Sequence, residues 1–231
     1  IMIYTVERRY FVNNEGTEVV QNLPYARIMV FGETKADDGM ELPLNLSYFA
    51  YDPADLPAND KIIADAKEMV KTLEALRVAP VVDPYTGPAL LSGPASGVFF
   101  HEIFGHRIEG HRLKGGGETF KKKVGELVLP ADFQVYCDPT LRSYAGEELN
   151  GFYLYDDQGV KARRVDVVKD GVLREFLMSR VPLDGFPRSN GHGRTAGGGD
   201  PVSRQSNLVV ETTAPHSEAE LRSMLIEEAK K

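Results

Sequence analysis

Over the first fifty positions, apolar and polar residues alternate in short runs. Ile3, Tyr4 and Val6 are followed by Tyr10, Phe11 and Val12, then by the turn-prone Asn13-Asn14-Glu15-Gly16, then by Thr17, Glu18, Val19 and Val20. Residues 26–31 and 42–50 continue the pattern, which predicts a small antiparallel meander. Past Pro53 and Pro57 the period changes. Ile62, Ile63, Ala66, Met69, Val70, Leu73 and Leu76 recur at helical spacing, predicting a helix capped by Asn59 or Asp60, running to about Arg77 and burying one stripe. Pro80, Pro84 and Pro88 mark a boundary, so residues 1–79 and 80–231 read as separate regions. A second helix is expected from about Pro94, in its first turn, to Arg112, ended by Gly115, Gly116 and Gly117. Phe99, Phe100, Ile103 and Phe104 predict that this helix is mostly buried. Further along, residues 133–136 read as a strand and Asp156-Asp157-Gln158-Gly159 as a turn between strands. Residues 165–168 and 172–177 form a hairpin across Lys169-Asp170-Gly171. Residues 188–201 form a glycine-rich loop, and residues 208–210 form a strand. Ser217 with Glu220 makes a capping box for a last helix.

Composition narrows the class. The chain has 231 residues, 42% apolar and 26% charged, which suits a globular protein with a sizeable core. A net charge of −7 with no basic stripe argues against nucleic-acid binding. No apolar run approaches the ~20 residues of a membrane span. The single cysteine, Cys137, excludes an intrachain disulfide and is compatible with a reducing, cytoplasmic setting. Residues 1–11 lack signal-peptide organisation and read as mid-domain strand, so the natural N-terminus is expected upstream. The last helical pattern runs to Lys231, from which a truncated C-terminus is expected.

The chemistry concentrates in Phe99-Phe100-His101-Glu102-Ile103-Phe104-Gly105-His106-Arg107-Ile108-Glu109-Gly110-His111, which holds three of the five histidines. Imidazoles suit zinc, and a glutamate beside the first ligand can serve as general base. The familiar helical zinc motif spaces its histidines by four, about 40° apart on one face. Here the spacing is five, about 140° apart in an ideal helix, too far to grip one ion. A π-turn with its i→i+5 bond would realign them, and Gly105 is where a bend is tolerated. A regular amphipathic helix with surface histidines fits the spacing equally well. The burial implied by the flanking apolar residues favours a metal, because buried histidines and a buried glutamate need partners. His106, Glu109 and His111 lie one residue from the inverted zinc motif, and His111 reads better as a surface or supporting residue.

These residues resemble the TldD/PmbA family of metallopeptidases, once labelled modulators of DNA gyrase. The His101-Glu102-Ile103-Phe104-Gly105-His106 stretch fits the family's H-E-x-x-x-H. Gly117-Glu118-Thr119-Phe120, Lys123-Val124-Gly125-Glu126, Tyr155-Asp156-Asp157-Gln158-Gly159-Val160, Asp170-Gly171-Val172-Leu173, Gly191-His192-Gly193-Arg194 and Pro201-Val202-Ser203-Arg204-Gln205-Ser206-Asn207 follow in the family's order. The resemblance implies zinc held by His101 and His106, with Glu102 activating water. It also implies a third ligand, a cysteine beyond this chain. One ion per intact chain and a homodimer or a heterodimer with a family member are implied too. Cys137 does not match that ligand's position and reads as a buried apolar residue.

The expected architecture is therefore α+β: antiparallel sheets, a buried active-site helix and flanking helices. Residues 1–79 would end an N-terminal α/β domain, and residues 80–231 would form the metallopeptidase region. The expected activity is zinc-dependent cleavage of unfolded or extended peptides, with a non-peptide amide hydrolase and a non-catalytic partner subunit as alternatives. His192 and Arg194 are candidate substrate-binding residues in a loop that could close over a peptide. Asp156 and Asp157 fit a turn better than a calcium pair. Arg204 and Asn207 are placed near a strand end beside the site.

Overall fold

The computed structural model describes residues 1–114, 120–195 and 199–230. Its elements are β1 (Met2–Val12), β2 (Glu18–Lys35), β3 (Glu41–Ala50), α1 (Asn59–Val78), α2 (Gly93–Phe99), β4 (Phe133–Cys137), β5 (Ser143–Tyr144), β6 (Glu147–Glu148), β7 (Val165–Lys169), β8 (Val172–Leu173), β9 (Gly193–Arg194), β10 (Val202–Ser203), β11 (Leu208–Thr212) and α3 (Glu218–Glu228). The class is α+β. The chain divides into two compact units. The first holds residues 1–9, 22–85 and 146–148; the second holds residues 10–21, 86–145 and 149–231.

In the first unit, β1, β2 and β3 form an antiparallel meander in chain order, as the alternation predicts. Helix α1 packs on β3. Its stripe is only partly used: Met69 and Leu73 are buried, whereas Ile63 and Val70 stay about half exposed. The cap also differs from expectation. Ala58 holds the N-cap position without a side-chain hydrogen bond, and Asn59 is already helical. Asp60 instead lies in the first turn, where a carboxylate complements the helix dipole.

In the second unit, four antiparallel strands stand in the order β11-β4-β7-β8, so β11 is an outer strand. Val135, Val165, Val167, Val168, Leu173, Phe176 and Leu177 bury their side chains in its core, together with Phe104, Ile108 and Leu113. The β7–β8 turn is Asp170-Gly171, both with positive φ (53° and 72°), the backbone a two-residue type I′ hairpin requires. Gln134 braces it, its carbonyl oxygen accepting from Asp170 N–H and its amide donating to Asp170 Oδ1. The predicted hairpin arm ends at Leu173 rather than Leu177. Leu177 leaves the ladder to exchange backbone hydrogen bonds with the segment after the histidine helix: its N–H donates to Ile108 O at 2.9 Å and its carbonyl accepts from Gly110 N–H at 2.9 Å. Asp156 is a turn residue, accepting from the backbone of Gln158, Val160 and Gly193. The capping box at Ser217 and Glu220 is present. Part of the predicted glycine loop, residues 196–198, and the predicted helix stop at Gly115, Gly116 and Gly117 lie outside the described residues. No helix among the described residues is long and apolar enough to cross a membrane.

Candidate metal centre

The segment carrying the histidines is not one helix but three kinds in succession. Helix α2 starts at the Ser92 cap, with Pro94 in its first turn. At Phe100 the backbone passes into a π-helix, Phe100–Phe104, and the Gly105 N–H reaches back to both Phe100 O and His101 O. A 3₁₀ turn, Gly105–Ile108, follows. Glu109 is extended, and a second 3₁₀ turn covers Gly110–Lys114. The expected continuous helix to Arg112 is thus broken, and the break contains the π-turn that five-residue spacing demands. The helix is anchored on one face only. Phe104 is buried and packs on Phe120 at 5.2 Å between ring centroids, while Phe99 and Ile103 remain close to half exposed. The expectation of a mostly buried helix overestimated its apolar run, because residues 98, 99 and 103 point away from the core.

The π-turn changes the geometry of the histidine pair. The His101 and His106 rings stand edge to face, 4.7 Å between centroids. Glu102 sits between them. Its Oε1 is 3.7 Å from His101 Nε2 and its Oε2 is 3.7 Å from His106 Nε2. Donor atoms of the three residues all lie within 4.8 Å of one another. Two imidazole nitrogens and a carboxylate converging from partly exposed side chains form a donor set of the type and span that suits zinc, with a side open to solvent for a further ligand and substrate.

His106 is oriented from behind. Its Nδ1 lies 3.1 Å from Oε2 of Glu109, which is 1% exposed. Arg112 Nε donates to the same oxygen at 2.6 Å, Arg204 lies 3.9 Å away, and the Gln205 N–H donates to Oε1 at 3.4 Å. With a carboxylate so surrounded by cationic and N–H donors, the proton of neutral His106 belongs on Nδ1, donating to Glu109. The Nε2 lone pair is then directed at the cluster, as in the carboxylate–histidine–metal arrangement. Glu109 was visible in the sequence only as part of a near-miss inverted motif. Its spacing of three from His106 was the available signal.

The other candidates fall elsewhere. His111 lies outside the His101–Glu102–His106 group, and its Nδ1 is buried without a hydrogen-bond partner. Desolvation holds its pKa below the ordinary value. Cys137 is fully buried beside Ser206, its thiol pushed up to about 12 by burial, so it is a protonated core residue and not a thiolate ligand. His192 is fully buried, its pKa pushed down to about 4 by desolvation, with Nε2 3.1 Å from Ser206 Oγ. Arg194 donates from Nη1 to Gln205 O at 2.9 Å and lies 5.0 Å from the Tyr153 ring centroid. His192 and Arg194 therefore both brace residues 205–206. Asn207 accepts from Gly151 N–H and donates to the carbonyls of Asp138 and Leu141. Beside His101 opens a cavity of about 590 Å³, lined by Phe100, Asn150, Leu208 and Val210 among others, with the outer strand β11 along one wall.

A paired-histidine, glutamate-bearing bulged helix on an antiparallel α+β scaffold is an arrangement that could hold a metal ion. Residues 84–229 match the family model described as the PmbA/TldA metallopeptidase C-terminal domain, and the chain belongs to this TldD/PmbA family. It is 31% identical over 153 residues to a metalloprotease of Archaeoglobus fulgidus, covering 66% of this chain and 35% of that protein. It is 27% identical over 209 residues to a metalloprotease of Methanothermobacter thermautotrophicus, covering 85% of this chain and 42% of that protein. The chain thus spans less than half the length of these curated relatives. Among solved structures, a Thermotoga maritima protein described as a candidate modulator of a DNA gyrase superposes with a TM-score of 0.72 at 19% identity, covering 94% of this chain and 47% of that one. TldE from Thermococcus kodakarensis gives 0.63 at 18% identity, covering 93% of this chain and 46% of that one. At these identities the structural likeness speaks for the fold.

Proposed function

We propose that this region supplies the metal-holding and proton-transfer half of a zinc-dependent peptidase site. The observation that carries the reading is the π-turn at Phe100–Phe104, which sets His101 and His106 beside each other with Glu102 astride both Nε2 atoms. His101 and His106 hold the ion, and a third protein ligand comes from outside this chain. Bound zinc supplies Lewis acidity and lowers the pKa of a water at the site. Glu102 accepts the water proton on a carboxylate oxygen and returns it to the leaving amine nitrogen. Glu109 keeps His106 in the tautomer that presents Nε2. An extended peptide, laid beside the outer strand β11, would bring its backbone along the cavity wall past His101. The family assignment and the metalloproteases among the relatives favour peptides over other amides. The intact Glu102 favours a catalytic chain over a partner without activity. We further propose that the intact protein acts as a dimer of family members.

Replacing Glu102 by Gln in the intact protein tests the reading. Zinc content by elemental analysis should stay at about one per chain, by the usual three protein ligands plus water. Cleavage of an unfolded casein substrate should fall by about 10²–10⁴. Near-normal turnover with zinc retained would remove Glu102 from the general-base role. Loss of zinc would make it a ligand instead.

A further inference from the structure

We infer that Gln205 is a positioning residue whose carboxamide holds the π-turn between His101 and His106 in its metal-ready form. The inference rests on the reading of those histidines as ligands. A π-turn is an uncommon backbone state that persists only where its surroundings fix it. Here the surroundings converge on one side chain. Gln205 Nε2 donates to His101 O at 3.3 Å, the carbonyl that the turn leaves sharing the Gly105 N–H with Phe100 O. The same nitrogen stands 3.5 Å from His106 Nδ1. The Gln205 backbone N–H donates to Glu109 Oε1. One residue, about a hundred positions along the chain, therefore touches the first ligand's backbone and the acid that orients the second ligand.

The residue between the two ligands carries the same signature. A Cβ built on Gly105 would collide with the Gln205 carboxamide, so the amide occupies the space that the missing side chain leaves. Gly105 thus admits Gln205 to the inside of the turn. Gln205 is 7% exposed, and its Oε1 is buried with no hydrogen-bond partner. A buried, unmet carbonyl oxygen is destabilising, and an apolar side chain of the same length would avoid that cost. The N–H₂ end is what such a side chain cannot replace. The amide is itself fixed from behind. Arg194 holds the Gln205 carbonyl, the Arg204 N–H donates to His192 O at 3.0 Å, and Val202–Ser203 pairs with Gly193–Arg194. His192 and Arg194 thus act together to seat the segment that carries Gln205.

The test uses the intact protein with Gln205→Met, which keeps length and packing but donates nothing, and Gln205→Glu, which puts an acceptor against His101 O. Two readouts apply besides cleavage: zinc affinity by competition with a chromophoric chelator, and hydrogen exchange of the Gly105 and His106 amides in the metal-free protein. Both variants should weaken zinc binding by about 10–100-fold. Both should speed exchange at those two amides at least about tenfold relative to amides of β4. A Gln205→Met protein that folds, with wild-type zinc affinity and wild-type exchange at Gly105, overturns the inference. If Met fails to fold, Gln205→Glu decides on the same two readouts. Wild-type protein that binds no zinc, or His101→Ala protein that binds it normally, overturns the ligand reading instead; the exchange arm still tests whether Gln205 holds the turn.

Discussion

Helix α1 and the histidine-bearing segment are close in length and opposite in construction. The first runs twenty residues as a regular α-helix on a sustained apolar period, yet buries only Met69 and Leu73. The second changes helix type twice between Gly93 and Lys114, from α to π to 3₁₀, and its turns are pinned by tertiary contacts from Phe120, Leu177, Arg204 and Gln205. Regularity belongs to the element whose geometry has no chemistry to satisfy. Where two imidazoles must meet at five-residue spacing, the helix departs from its own period, and the departure is held by the rest of the fold.

The contrast is sharpest in the core. Phe104 is 5% exposed, immediately precedes Gly105, and stacks against Phe100 and Phe120. Phe104→Ala should destabilise the protein by about 3–5 kcal/mol through lost burial and a residual cavity. Val70→Ala on α1, a half-exposed position, should cost well under about 1 kcal/mol by area. Urea unfolding followed in the intact protein compares them. Equal, small losses would mean that the histidine segment is no better anchored than α1.

What the sequence disclosed follows the same division. The meander, α1, the Asp170-Gly171 turn and the capping box at Ser217 depend on neighbours in the chain, and periodicity or turn chemistry exposes them. The need for a π-turn was also legible, because it follows from the spacing of His101 and His106 alone. Its support was not. Glu109 looked like a motif off by one, Gln205 stood out only as part of a stretch matching the family, and His192 and Arg194 read as candidate substrate-binding residues in a loop. Glu109 reaches His106 over three residues, but Gln205, His192 and Arg194 act through contacts 11 to 104 residues apart, to which local pattern is blind.

Gly105 offers a test in which the two kinds of helix predict opposite signs. In a regular, solvent-facing helix, Gly→Ala is stabilising by about 1 kcal/mol, because glycine surrenders more backbone freedom on folding. At Gly105 the new methyl would meet the Gln205 carboxamide, and the neighbour must move or the turn must open. Gly105→Ala should therefore destabilise by roughly 1–3 kcal/mol, the range for overpacking a filled site. Thermal unfolding gives the sign directly. A rise in Tm would mean that the segment relaxes to an ordinary helix at little cost, and that the π-turn is not held as described.

The smallest effect lies at the start of α1, where local rules alone should operate. Asn59 and Asp60 look like caps in the sequence, but the residue with extended backbone before the first turn is Ala58, with φ −60° and ψ 153° and no side-chain hydrogen bond. Its carbonyl already accepts from Lys61 N–H at 3.0 Å and Ile62 N–H at 3.2 Å, while the first-turn N–H groups have no side-chain oxygen from the cap. A serine there can place Oγ against the Lys61 N–H without moving the backbone, since its preferred cap conformation is the one Ala58 holds. Ala58→Ser should thus stabilise the protein by about 1 kcal/mol, and Asn59→Ala, at the first helical position, should change stability little. If Asn59 were the cap, the two outcomes would exchange: Asn59→Ala would cost about 1 kcal/mol and Ala58→Ser would gain nothing. Because α1 has no ligand to position, this gain should come without any change in zinc content or cleavage, which Gly105→Ala cannot claim.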